Sequence, residues 1–274
     1  MIVNSENYAE IKKNDIVTVI KAGHIIDITY SEKQNQKARI KKLNKDEYLH
    51  CGTGEIKQFE HQSNRDGNIA EVRESVKNLR HLINNNFAGK PNELFITLTY
   101  KENMTDTKRL YEDSKKYMMK LRYEYKDQTT IDYISVVEPQ LRGAWHIHQL
   151  VRFNDVSNIF IDNQKLANIW GNGFVTVKSL KQVDNIGAYL SAYLTNIKNG
   201  ETMKGAKLYL YPTGLNIYRC SKGIQKPQKQ KKRFDEIEKE VGSTIPNFQR
   251  QVTIQSNDYT NTIHYIQYNL KRQE

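Results

Sequence analysis

Only two cysteines, Cys51 and Cys220, occur among 274 residues. Their separation and the lack of a C-x-x-C spacing exclude a disulfide framework and a cysteine zinc cluster, and fit a reducing compartment. No window approaches the ~18 consecutive apolar residues of a membrane-spanning helix. Residues 1–10 are polar and acidic where a secretory signal needs a basic start and an apolar run. A cytoplasmic protein is expected. No G-x-x-x-x-G-K-[ST] occurs, so a built-in P-loop motor is not expected. Internal repeats and low-complexity tracts are absent too, which leaves one domain of ordinary size with extensions.

What is abundant is positive charge. Lysine and arginine number 42 against 31 acids, a formal charge of +11. Residues 198–233 hold ten basic side chains and one acid, Glu201, which leaves 32 bases and 30 acids elsewhere. About +9 of the charge thus sits in one stretch, either a solvated tail or a strip for phosphates. Seventeen tyrosines add aromatic faces of the kind that stack on bases, although tyrosine is also an ordinary core residue.

Periodicity supplies the elements. Residues 16–20 and 25–30 read as short strands. Ile69, Val72, Val76, Leu79 and Ile83 recur at helical spacing beside a basic stripe of Arg73, Lys77 and Arg80. Residues 95–100, Phe-Ile-Thr-Leu-Thr-Tyr, form a β-branched and aromatic strand. A helix follows from Thr105 or Asp106, with Leu110, Tyr117, Met118, Leu121 and Tyr125 on one face. Residues 131–137 and 145–153 read as an antiparallel hairpin joined by a Pro-and-Gly connection. A helix at 162–170, a strand at 174–177 and a helix at 183–197 complete the order. The expected fold class is α+β. It is a central antiparallel sheet of split-βαβ, ferredoxin- or RRM-like type, with helices on one face, the first and third strands central, and the other face free but for the tyrosine helix after the fourth strand, which can cross it. Residues 1–91 are expected as an N-terminal extension, 92–200 as the core, and 201–274 as a basic segment with a C-terminal strand pair. Within the last, 225–233 reads as a linker or basic arm.

His146-Ile147-His148 lies in the third strand, whose period of two sends both imidazoles to one face. An isolated H-x-H is as well explained by two hydrogen-bonded strand histidines. Glu138 closes the preceding strand and falls opposite His146 if the hairpin register holds; a slip of one residue turns it away. Two imidazoles and a carboxylate on one face make a mixed nitrogen and oxygen site suited to Mn²⁺ or Mg²⁺, with open positions for phosphate oxygens. Tyr189 and Tyr193, four apart on the last helix, project side by side. Their spacing also serves helix packing, since they border the apolar stripe of Ile186, Leu190, Leu194 and Ile197.

These residues, in this order, resemble the rolling-circle replication initiators (Rep) of the HUH endonuclease superfamily, in the two-tyrosine form of phages and Gram-positive plasmids. The resemblance rests on Phe-Ile-Thr-Leu-Thr-Tyr at 95–100, Gly-Ala-Trp-His-Ile-His at 143–148 and Tyr-Leu-Ser-Ala-Tyr at 189–193. The tyrosines follow the histidines, which is the initiator order, whereas plasmid-transfer relaxases carry theirs near the N-terminus. Ala192 departs from the pattern, because many two-tyrosine relatives place a lysine there.

The resemblance implies a metal-dependent DNA-nicking endonuclease and strand transferase. His146, His148 and Glu138 would hold Mn²⁺ or Mg²⁺, and Tyr189 and Tyr193 would be the nucleophiles that form a 5′-phosphotyrosyl link. The substrate would be single-stranded or extruded origin DNA, and a host helicase and DNA polymerase would be the partners. The alternatives are a transposase or relaxase of the same superfamily and a non-enzymatic single-stranded nucleic-acid-binding module.

Overall fold

A computed structural model describes residues 2–5, 10–33, 39–60, 69–140, 142–195, 210–212, 214–256 and 259–272. Side chains are described for all of these but 2–5, 69–71, 193–195 and 256. The fold is mixed α+β with antiparallel sheets, and the chain divides into two compact units.

The first unit comprises residues 1–19, 27–63 and 230–268. It is built on strands β1 (Ile2–Ser5), β2 (Ile16–Ala22) and β3 (Ile25–Ser31), and on the small sheet β4 (Ile40–Lys42), β5 (Glu47–His50) and β6 (Ile56–Gln58).

The second unit comprises residues 20–26, 64–229 and 269–274, so the tip of the β2–β3 hairpin belongs to it. Its elements are α1 (Ile69–Asn86), β7 (Glu93–Tyr100), α2 (Thr107–Glu124), β8 (Ile131–Pro139), β9 (Trp145–Phe153), α3 (Asn163–Trp170), β10 (Gly173–Ser179), α4 (Ile186–Thr195) and β11 (Tyr218–Cys220). The chain then returns to the first unit with β12 (Gln228–Arg233), α5 (Phe234–Val241), β13 (Phe248–Ser256) and β14 (Tyr259–Asn269).

The larger sheet of the first unit runs β1-β13-β14-β3-β2-β12. Residues 225–233, expected as a linker or arm, therefore supply an edge strand. Gln-Lys-Gln-Lys-Lys-Arg has no apolar alternation to announce it. An edge strand needs none, and lysines there discourage pairing with other chains. Of the basic stretch 198–233, residues 198–209 and 213 lie outside the described residues.

In the second unit the sheet order is β10-β7-β9-β8-β11. The first four strands have the ferredoxin-like order, with β7 and β9 inside, and β11 adds to the β8 edge. The helices begin where the sequence offers a cap. Asp106 Oδ1 accepts from the backbone N–H of Lys108 and Arg109 at 2.8 and 3.2 Å, and Asp162 Oδ1 accepts from that of Gln164 at 2.8 Å. Gly171, at φ 72°, closes α3 in the left-handed conformation.

One sheet face carries Ile96, Leu98, Tyr100, Ile147 and Val151, all buried, under α2 and α3. Tyr100 and Tyr117 meet Trp170 edge-on at 5.0 and 5.9 Å, and the Tyr100 hydroxyl donates to Asp113 at 3.2 Å. Burial and the nearby carboxylate push that phenol well above its usual pKa.

The other face is split. Ile134 and Leu150, both fully buried, and Phe95 make one half apolar. That half is covered: α4, the helix after the fourth strand, packs on it, and the end of α1 reaches it as well. Tyr189 of α4 meets Phe95 edge-on at 6.0 Å. Arg152 ends α1 by donating to the Asn86 carbonyl at 2.7 Å and lies over Phe87. A cation at the carbonyl end of a helix also complements its dipole. Leaving such residues open would forfeit about 1.5–3 kcal/mol for each large side chain.

The approach of α4 to α1 depends on Gly187. A Cβ there would lie 2.5 Å from the Arg80 carbonyl oxygen, and the Gly187 N–H donates to Asn84 Oδ1 at 2.8 Å. Gly187→Ala is expected to destabilise the chain by about 1–3 kcal/mol through overpacking, as read from denaturant unfolding. A change below about 0.5 kcal/mol, the scale of a neutral surface substitution, would remove this account of the contact.

Candidate metal centre

The polar half of the split face is laid out by two registers. Between β8 and β9, Glu138 pairs with His146 and Val136 with His148. Between β7 and β9, Thr99 pairs with His146 and Thr97 with His148. Directly opposed residues share a face, so Thr97, Thr99, Glu138, His146 and His148 all point the same way. The β8–β9 turn sets this register. Gln140 N–H donates to the Ala144 carbonyl at 2.7 Å and Gly143 N–H to the Gln140 carbonyl at 2.9 Å. Gly143 takes φ 87°, which a residue with a side chain rarely adopts.

Candidate ligand atoms of Glu138, His146 and His148 lie within 4.8 Å of one another. His148 is the most fixed. Its Nε2 is 2.8 Å from Glu138 Oε2, its Nδ1 is 3.1 Å from Thr97 Oγ1, and its ring stacks on Phe95 at 5.7 Å between centroids. The pair is also well shielded, the side chains of His148 and Glu138 being 4% and 13% exposed. The two imidazoles stand edge to face at 6.2 Å.

This donor set of two borderline nitrogens and one hard oxygen fits a divalent cation, with three protein ligands among the described residues. The Thr97 hydroxyl can donate to or accept from Nδ1, so it serves His148 whether Nε2 carries a proton or is bound to a cation. Strand alternation puts Thr97 and Thr99 on one face of β7 but does not separate a DNA contact or support of the site from packing. For Thr97 the hydrogen bond makes that distinction. Neither Thr97 as a partner of His148 nor Phe95 as its stacking surface is legible from motif spacing, because both depend on which strands lie side by side.

Tyr189 lies on this same face, half-buried, its ring against Phe95, which also stacks with His148. The Tyr193 side chain lies outside the described residues. Four attachments within the second unit fasten the start of α4. The His24 ring hydrogen-bonds the Asp184 carbonyl oxygen. Arg272 pairs with the Asp184 carboxylate, and Asn269 Nδ2 donates to it at 3.2 Å. Asn84 Nδ2 donates to Asn185 Oδ1 at 3.0 Å. The Arg272 guanidinium holds the Asp184 carboxyl below its usual range, and burial pushes the His24 imidazole below its own.

Residues 93–198 match the family model of the ORF2-type replication-associated proteins. The matched span starts with β7 and contains Glu138, both histidines and both tyrosines. It supports a replication initiator and a role in starting DNA replication. Neither a curated protein nor a solved structure matches the chain. Among the described residues, no helix is long and apolar enough to cross a membrane.

A Mn²⁺ titration followed by calorimetry is expected to give one site per chain that is lost in His148→Ala. Thr97→Val should bind about 10- to 100-fold more weakly, as removal of a partner that orients a ligand does. Unaltered affinity in Thr97→Val would reduce that hydroxyl to a packing contact.

Proposed function

We propose that the protein is a rolling-circle replication initiator of the two-tyrosine HUH type, which nicks and rejoins single-stranded DNA at a replication origin. The observation that carries the reading is the Glu138, His146 and His148 cluster in a segment matching a replication-associated family. The substrate is an origin strand that is single-stranded or extruded, since a phosphodiester within a duplex cannot readily reach a sheet face. The reaction takes place in the cytoplasm.

An unperturbed phenol has a pKa of ~10 and is a weak nucleophile at neutral pH. Glu138, His146 and His148 would hold a divalent cation, which when bound would supply Lewis-acid polarisation of the scissile phosphate. Thr97 and Phe95 keep His148 in one orientation. A tyrosine oxygen of α4, from Tyr189 or Tyr193, bonds to phosphorus. The P–O3′ bond breaks, the phenolic proton is given up, and the departing O3′ ends as a hydroxyl. The new 5′-phosphotyrosyl ester keeps a phosphodiester's worth of bonding, so the reverse exchange, through the other tyrosine or the same one, reseals a strand. A host helicase and DNA polymerase are the partners for duplex opening and copying on this reading.

Incubation with single-stranded origin DNA and Mn²⁺ is expected to yield a protein–DNA adduct that survives denaturing electrophoresis. The adduct should vanish when Tyr189 and Tyr193 are both Phe, and should form at least ~10²-fold more slowly in His146→Ala, the scale of losing a main electrostatic contribution. Persistence of the adduct in the double Phe variant would sink the assignment.

A further inference from the structure

A row of four residues runs across the sheet through the cluster. Glu138 on β8 pairs with His146 on β9, His146 with Thr99 on β7, and Thr99 with Phe174 on β10. Opposed residues share a face, so the Phe174 ring projects on the same side as the two imidazoles. It is 65% exposed, on the edge strand of the sheet. An exposed phenyl on an edge strand invites unwanted association, and the fold gains no core packing from it. Two strand spacings, about 9.6 Å, separate its backbone position from that of His146, a gap that a phosphodiester and a neighbouring base can bridge. The same face of β10 continues with exposed Thr176, opposite Thr97, and exposed Lys178, opposite Phe95. The edge strand therefore presents an aromatic ring, a hydroxyl and a cation in successive rows beside the cluster. A single strand of nucleic acid is bound by that combination, through base stacking and phosphate contacts.

We infer that Phe174 is a stacking platform for a base of the DNA strand that threads the metal centre, close to the scissile phosphate. The inference rests on the reading of this face as a receiver of single-stranded DNA, and it adds the residue that holds the strand from the β10 side. Stacking acts through the ring face common to all bases, so Phe174 contributes affinity and alignment and leaves the choice of sequence to other contacts.

The test crosses a protein change with a DNA change, using the full chain with Mn²⁺, a dT 12-mer and an abasic 12-mer with the same phosphates. Phe174→Ala is expected to bind the dT 12-mer about 5- to 150-fold more weakly and the abasic strand as tightly as the unaltered chain does. Phe174→Trp should retain affinity for the dT 12-mer and lose fluorescence on binding it but not the abasic strand. The other two tryptophans, Trp145 and Trp170, are buried, so the change reports on position 174. Equal losses for both strands in Phe174→Ala, or none for either, would overturn the inference. A chain that shows this coupling without forming a tyrosyl adduct keeps the platform and loses the nicking assignment. One that forms the adduct without the coupling loses the platform alone.

Discussion

The register between β8 and β9 is the constraint on which the rest of the second unit depends. Side chains alternate, so a slip of one residue would carry Glu138 away from the imidazoles and would also turn Ile147 and Val151, both fully buried, out of the core. Those two residues alone account for roughly 3–6 kcal/mol of burial, more than the net ~0.5–1.5 kcal/mol of a typical hydrogen bond such as that between His148 and Glu138. The apolar face therefore fixes the geometry of the polar one. The cluster is held in place by residues on the opposite side of the same strands.

A second, longer-range constraint fixes α4. Its helical periodicity is local, but its placement is not. Gly187 lets it approach α1, Asp184 and Asn185 are tied at its start by His24, Asn84, Asn269 and Arg272, and Phe95 meets Tyr189 edge-on. These partners come from four separate stretches of sequence. Phe95 contacts both Tyr189 and His148, so the helix and the cluster share one buried ring as their common support.

The strands and helices of the second unit were legible because their side chains alternate or recur with a clean period. The β9 strand at 145–153 and the caps at Asp106 and Asp162 are cases where local chemistry is enough. The candidate cluster was legible for the same reason, since H-x-H in a strand has only one geometry and the Pro-and-Gly connection limited the register. Three features left no such trace. β11 is too short to show a pattern, β12 is an edge strand of glutamine, lysine and arginine, and part of the cover over the apolar half of the histidine face comes from the end of α1, which precedes β9 by two other strands and a helix. Phe174 was visible as a strand residue, but its row could be assigned only from the register of β10 on β7.

The attachment of the α4 lead-in to residues 269 and 272 has a consequence for the order in which the protein matures. Those residues follow α4 by more than seventy positions, so at 5–20 residues per second they leave the ribosome roughly 4–15 s later. A nascent chain can pair β7, β8, β9 and β10 and bring its cluster together well before the helix bearing the tyrosines gains its last fastenings. Assembly of the cluster and the last fastening of α4 are thus separated in time during synthesis, and a chain interrupted in the interval would carry the cluster without the ties from Asn269 and Arg272.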